Sequence, residues 1–304
     1  MTLPIPVAAP GDLVDRRYRL TQRLGQGGAA TVWLATDLGT GEQVALKLLH
    51  ATLASHPKMV SRMLREGRLL ERLCHESIVR HLATGTSAFG PYVVCEILFG
   101  ETLRARLVRE GALSIREAAS IALQLLDALA AAHRIGVVHR DVKPENIFLL
   151  SPELSQAPQV KLIDFGIAKR LDDEDGEATQ LTRVGDLAAT LCYASPEQLG
   201  GAPVGPTSDL FSLGLTLSEM LGAPVPMVGP DLVAQVLDRL GPEPIRLDIG
   251  VRRSAIGHVI ERAVSKRPEE RHPAAELMAW DLWDVLAVEG RELVAAPPTE
   301  RAAC

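Results

Sequence analysis

Aromatic side chains make up only 4% of this chain, with five Phe, three Tyr and three Trp. That is too few for the stacking platforms on which single-strand nucleic-acid binders rest. Basic charge is not in excess either: 32 Lys and Arg face 38 Asp and Glu, a net charge of −6. Binding to a phosphate backbone needs clustered basic charge, so no nucleic-acid partner is expected. The four cysteines (Cys74, Cys95, Cys192 and Cys304) lie far apart, with no CxxC pair and no His at ligand spacing. Neither structural zinc nor a disulfide framework is indicated, which fits a reducing compartment. Long apolar runs are missing as well. The longest stretch free of Asp, Glu, Lys, Arg and His, Leu82–Cys95, is too short to cross a bilayer and carries Gly, Ser, Thr and Pro. The opening MTLPIPVAAPGD lacks the charged start and apolar run of a signal peptide. No membrane span and a cytoplasmic location are expected.

What is present suffices for a sizeable core, since 47% of 304 residues are hydrophobic and 23% are charged. That length suggests two domains. Residues 1–12, rich in Pro and Ala, read as a flexible N-terminus, and 290–304 as a flexible tail. From Tyr18 to about Leu98 the apolar runs are short and strand-like: YRLTQRLG, ATVWLATD, EQVALKLL and PYVVCEIL. One helix is expected among them, around Lys58–Leu73. Beyond Gly100 the apolar period becomes helical. Ser114 with Glu117 three residues on has the form of a capping box, and Gly136 is placed to end the helix that follows. Further helices are expected in DLFSLGLTLSEML, DLVAQVLDRL, AIGHVIERAV and AAELMAWDLWDVL. The fold class is therefore α+β, a small β-rich unit over 13–98 followed by a larger helical one over 99–289. Clefts between such units commonly take small ligands.

Leu24-Gly-Gln-Gly-Gly-Ala-Ala-Thr-Val32 packs three glycines into four positions. A dinucleotide fold would need a helix directly after them, whereas VWLATD and VALKLL here read as a hairpin. Glycines in a hairpin can lie flat over phosphates and offer backbone N–H groups, although such clusters mark ordinary turns more often. Lysine is rare, with only six residues (47, 58, 143, 161, 169, 266) among the 32 cations. Lys47 follows the glycine hairpin and Lys143 lies in HRDVKPEN; a compact ammonium suits a phosphate oxygen.

The segment His139-Arg-Asp-Val-Lys-Pro-Glu-Asn146, followed by Asp164-Phe-Gly166, resembles the catalytic and metal-binding segments of eukaryotic-type protein kinases. Gly25-x-Gly27 with Val32, Lys47, Glu66, Ser195-Pro-Glu197, Asp209 and Arg271 stand in the order of that family, and the resemblance spans about residues 18–288. It implies a bilobal protein-kinase-like fold with a β-rich N-lobe and an α-helical C-lobe. It also implies an ATP-dependent phosphotransferase using Mg²⁺, with Mn²⁺ as an alternative metal. On this resemblance Asp141 orients the acceptor hydroxyl and takes its proton, Lys143 neutralises the moving phosphoryl group, and Asn146 and Asp164 hold the metal. Lys47, fixed by Glu66, holds the phosphates; the bland alternative for Glu66 is an i,i+4 partner of Arg62. Leu24, Gly25, Gln26, Gly27, Gly28, Val32, Ala45, Glu96, Leu98 and Phe148 are the expected nucleotide-binding residues, with Cys95 at the gatekeeper position. His139 is assigned packing beneath Phe165 rather than acid–base chemistry.

Lys143 places the resemblance in the serine/threonine class, and HRDVKPENI, DFGIAK and YxSPEQ are most similar to bacterial Hanks-type members. The expected partners are proteins with Ser/Thr acceptors, with transient self-association for autophosphorylation. Arg140 implies control through an activation segment, with Thr179 and Thr182 as candidates, Thr190 as a contact of the catalytic aspartate, and LDDEDGE (171–177) as a solvated acidic loop. Three departures stand out: Ala30 for the third loop glycine, Ala189 before Thr190, and His81 where the family commonly has an apolar residue. The rivals are a pseudokinase or scaffold, disfavoured by the full set of polar groups, and a small-molecule kinase of related fold, disfavoured by the long segment closing with SPE.

Overall fold

The structure is a computed structural model that describes residues 5–151, 159–165, 191–225, 229 and 231–288. The chain divides into two compact units; among the described residues the first holds those up to Cys74 and Val79–Leu98, and the second holds His75–Ile78 and those from Phe99 on.

The first unit holds an antiparallel six-stranded sheet in the order β1-β2-β3-β4-β6-β5. Its strands are β1 (Leu13–Val14), β2 (Tyr18–Gln26), β3 (Ala30–Asp37), β4 (Gln43–Leu49), β5 (His81–Ser87) and β6 (Gly90–Glu96). Alternation sends Tyr18, Leu20, Trp33, Ala35, Val44, Leu46, Leu48, Tyr92 and Val94 to one face, where they form a buried cluster. Each of the larger ones contributes about 1.5–3 kcal/mol by leaving water. Residues 8–12 are not loose as expected: Gly11 N–H donates to Leu20 O, Leu20 N–H donates to Asp12 O, and Ala8 packs against the cluster. The apolar Ala8 gains cover there while β2 satisfies the backbone. The β1–β2 turn places Asp15 and Arg16 in the left-handed region at φ 51° and 54°, and Tyr92 Oη donates to Asp15 Oδ2 at 2.6 Å across it. Two helices follow β4, α1 (Ala51–Ala54) and α2 (Pro57–Leu70). Met63, Glu66, Gly67 and Leu70 form the buried stripe of α2, at the i, i+3, i+4, i+7 spacing of a packed helix.

The second unit is mainly helical. Its small sheet is ordered β7 (Gly100–Thr102), β8 (Ile147–Leu150), β9 (Val160–Leu162). The helices are α3 (Leu103–Glu110), α4 (Ile115–Arg134), α5 (Pro196–Gly200), α6 (Pro206–Met220), α7 (Leu232–Leu240), α8 (Ile249–Arg253), α9 (Gly257–Ala263) and α10 (Ala275–Val288). Ser114 caps α4 by accepting from Glu117 N–H at 3.2 Å. The reciprocal half of the box is not made; the Glu117 carboxylate takes Arg106 instead, at 3.1 Å. Helix α6 is buried on nearly every side. Three of its buried hydroxyls find partners, Ser208 donating to Glu197 Oε1, Ser212 to Tyr193 O and Thr216 to Ser212 O, whereas Ser218 Oγ has none among the described residues.

Candidate active site

In the first unit the register of β4 decides which side chains escape the core. Val44, Leu46 and Leu48 point into it, so Ala45 and Lys47 emerge on the opposite face. Pairing puts Val32 opposite Lys47 on one side, and Cys95 opposite Ala45 on the other. Lys47 Nζ meets Glu66 Oε1 at 2.9 Å. Glu66 rides on the apolar stripe of α2, and a carboxylate carried into that position requires a cation. On the same helix Arg62 Nη1 lies 3.8 Å from Met59 Sδ. Glu96 N–H donates to Arg80 O, Glu96 and Leu98 are half-buried at the strand end, and Leu24 is exposed at the start of the glycine hairpin.

The hairpin closes with Gly27 N–H donating to Ala30 O at 2.9 Å, and Gln26 pairs with Thr31. Neither Gly25 nor Gly27 has a positive φ. A Cβ added at Gly25 would meet nothing within 4 Å, and one at Gly27 only Ala30 O at 3.8 Å. Backbone conformation and internal packing therefore do not demand glycine here. Bare backbone at these positions suits the close approach of something outside the chain, as phosphates require.

In the second unit a 3₁₀ turn, Pro144–Asn146, brings the ends of HRDVKPEN together. Lys143 Nζ lies 3.2 Å from Asp141 Oδ2. Asn146 Nδ2 donates to both Asp141 O and Asp141 Oδ2, at 2.8 and 2.7 Å. That turns the amide oxygen of Asn146 away from Asp141 and leaves it for a cation. Asp164 is exposed and sits in the left-handed region at φ 52°. Asn146 and Asp164 are hard oxygen donors of the kind magnesium takes alongside phosphate oxygens, so the donor set fits that ion. Phe148 lies half-buried in β8, paired with Thr102 and Lys161.

The fully buried His139 accepts the Asp141 N–H at Nδ1 (3.2 Å) and bonds Ile163 O through Nε2 (3.2 Å). Burial pushes its pKa down, in keeping with the neutral ring that these two partners select. Its ring stacks at 4.5 Å against Phe165, the packing expected from the sequence.

The resemblance singles out Arg140, Glu197, Asp209 and Arg271, but the supporting residues His133, Arg104 and Glu219 carry no signal in the sequence. Arg140 holds φ 67°, a costly conformation outside glycine. Asp209 secures it by accepting from the backbone N–H groups of Arg140 (2.7 Å) and His139 (2.8 Å), and it also takes His133 Nε2 at 2.8 Å. Gln198 Nε2 holds the Arg140 carbonyl at 2.9 Å. Arg104 gathers Glu145, Glu219 and Tyr193 into one hydrogen-bonded cluster beside the same loop; burial raises the Tyr193 pKa well above its usual value. Glu197 and Arg271 form a buried two-pronged pair at 2.6 and 2.8 Å. Thr179, Thr182, Ala189, Thr190, the acidic run 171–177 and Cys304 lie outside the described residues. Among the described residues no helix is long and apolar enough to cross a membrane.

A family model described as the protein kinase domain matches residues 18–281. Serine/threonine-protein kinase Pkn1 of Myxococcus xanthus is 38% identical over 257 residues, 84% of this chain and 36% of that protein. PknB of Mycolicibacterium smegmatis is 35% identical over 317 residues, covering 97% of this chain and 49% of its own. The chain thus spans about a third to a half of the curated relatives it matches. The crystal structure of the Mycobacterium tuberculosis PknI kinase domain superposes with a TM-score of 0.69 at 24% identity, over 92% of this chain and 99% of that one. With its strand lysine paired to a helix glutamate and its aspartate loop held as described, the chain belongs to the protein kinase family, among the bacterial Hanks-type serine/threonine members.

Proposed function

We propose that this chain transfers the γ-phosphoryl group of ATP to serine and threonine hydroxyls of proteins, with Mg²⁺ as the working metal. The observation that carries this reading is the meeting of Lys143 Nζ (3.2 Å) and Asn146 Nδ2 (2.7 Å) at the Asp141 carboxylate. Phosphoryl transfer needs positioning and charge cancellation more than covalent chemistry. Asp141, oriented by Asn146, would align the acceptor hydroxyl and take its proton. Lys143, already at the Asp141 carboxylate, stands ready to neutralise charge on the group in transit. Asn146 and Asp164 would hold the metal, which when bound neutralises phosphate charge. In the first unit Lys47, braced by Glu66, would take the α- and β-phosphates beneath the bare backbone of residues 25–28. The apolar patch of Val32 and Ala45 suits a purine, with the backbone of Glu96 and Leu98 as its polar recognition. Autophosphorylation at Thr179 or Thr182 by transient self-association follows from Arg140, a cation beside the catalytic aspartate that a phosphothreonine would pair with.

Incubation with labelled ATP, Mg²⁺ and a generic protein such as casein tests the reading. Label should appear on Ser and Thr of casein. Asp141→Asn should retain nucleotide affinity and lose transfer by at least a thousandfold. Nucleotide binding without transfer in the unaltered chain would instead indicate a scaffold, and transfer only to small molecules the related class.

A further inference from the structure

Gly67 breaks the pattern of α2. It sits inside a fourteen-residue helix, Pro57–Leu70, where glycine is disfavoured by about 1 kcal/mol against alanine. Its φ is not positive, so the helix does not need it for backbone reasons. The cause lies across the interface with β5. A Cβ built on Gly67 would stand 2.8 Å from both Cβ and Cγ2 of Thr84, and closer still to its Oγ1. Such distances are not tolerated between carbon atoms, so one element would have to move. Thr84 cannot readily turn aside, because its Oγ1 is engaged by His81 Nε2 at 2.7 Å. The residue before Gly67 is Glu66, buried and bonded to Lys47 at 2.9 Å.

The geometry points to Gly67 and Thr84 as a matched pair of positioning residues: the missing side chain on α2, seated over a threonine pinned by His81, sets the depth at which the helix delivers Glu66 to Lys47. This goes beyond the phosphotransfer proposed above and rests on it for the meaning of the Lys47–Glu66 pair. His81 acquires a use in the same arrangement. Where an apolar side chain is expected, an imidazole locks the one hydroxyl on which the helix rests. Lifting α2 by the ångström or so that an added methyl demands would stretch a 2.9 Å ion pair beyond hydrogen-bond range.

The test is a size exchange across the contact in the full chain. Gly67→Ala should lower kcat/KM at least tenfold, with the ATP-dependent part showing as a raised KM for ATP. Gly67→Ala/Thr84→Gly, which removes the obstructing atoms from the sheet side, should restore activity to within about threefold. Thr84→Ile, which adds bulk from the strand instead, should reproduce the loss and covers the case in which Gly67→Ala does not fold. A second readout is independent of phosphotransfer: the rate at which Lys47 is acylated by an amine-reactive ester, followed by peptide mass spectrometry. Freed from Glu66, Lys47 should react several-fold faster in Gly67→Ala and return to the original rate in the double variant. Unchanged Lys47 reactivity in Gly67→Ala, or a folded double variant that stays as reactive as the single one, overturns the inference. An unaltered chain that transfers no phosphate overturns the kinase reading alone, and the acylation rates still decide this one.

Discussion

Arg271 is the most heavily committed side chain of the second unit, and its removal has a cost that can be worked out bond by bond. The guanidinium is fully buried, and all five of its N–H groups are used. Nε goes to Ser265 O; Nη1 goes to Glu197 Oε1 and Thr207 O; Nη2 goes to Glu197 Oε2 and Lys266 O. Its plane also lies 4.8 Å from the Phe211 ring. Breaking a buried pair by deleting one partner costs about 3–5 kcal/mol, because the remaining charge is stranded. The two deletions are not equivalent. Arg271→Met strands the Glu197 carboxylate, which keeps only Ser208 Oγ among these partners, and also orphans the Ser265 and Lys266 carbonyls at about 1–3 kcal/mol each, Thr207 O keeping its place in the helical ladder. Glu197→Gln leaves three of the five guanidinium donors satisfied and retains an amide oxygen for a fourth. Arg271→Met should therefore cost about 5–11 kcal/mol and lower the melting temperature by at least about 10 °C, at about 2–4 °C per kcal/mol for a domain of this size, and Glu197→Gln by less than half as much. Because the two orphaned carbonyls persist, Glu197→Leu/Arg271→Met should recover only part of the loss. Burial alone would raise the Glu197 pKa, but the hydrogen bonds from Arg271 and Ser208 overcome it and hold the carboxyl below its ordinary value of 4.5. The pair's contribution is thus present above pH 4.5 and is lost as pH falls through the lower folded value. Thermal melts of the three variants between pH 7 and pH 4 measure both effects. Equal losses for the two single variants, or full recovery in the double, would refute the reasoning.

Other outcomes follow from the same structure. Burial depresses the pKa values of His81, His139 and His272 below 6.5, so the unfolded chain takes up their protons first; denaturant titrations should show stability falling as pH drops below 6.5, by up to about 1.4 kcal/mol per pH unit for each histidine. Arg16→Gly should stabilise the chain by about 0.5–1 kcal/mol, read from the urea midpoint, because Arg16 sits at φ 54° in the β1–β2 turn. Asp209→Asn presents an NH₂ group to a pocket of backbone donors; it should cost about 1.5–3 kcal/mol and lower phosphate transfer at least tenfold, while nucleotide affinity measured by calorimetry changes little.

The parts of this molecule that could be read from its sequence are those with a local period or a fixed motif. The strand run VALKLL and the helix around Lys58–Leu73 are readable by period, while Lys47 and Glu66 are picked out by motif order; the structure puts Lys47 on the face opposite the core and Glu66 on the buried stripe of α2. HRDVKPEN closes on itself within a few residues, so Asp141, Lys143 and Asn146 come together by local geometry. What escaped depends on partners distant in the chain. Gln198 reaches Arg140 across 58 residues, His133 reaches Asp209 across 76, and Arg104 reaches Glu219 across 115. No pattern of neighbours encodes such meetings. The Gly67–Thr84 contact is hidden for another reason: glycine in a helix reads as a weak point until the strand beneath it is seen. Residues 8–12 looked loose because Pro and Ala carry no strand signal, and Glu117 looked like half of a box because its competitor Arg106 comes from another helix.

The peptide unit at Arg140 is gripped from both sides, its N–H by Asp209 and its carbonyl by Gln198. Gln198 stands just after Ser195-Pro-Glu197, and its own side chain also accepts from Ser195 N–H. One amide therefore fastens the loop bearing Asp141 to the Ser195-Pro-Glu197 turn. A substitution at Gln198 thus disturbs two segments distant in the chain at once, and neither can shift its backbone without pulling on the other.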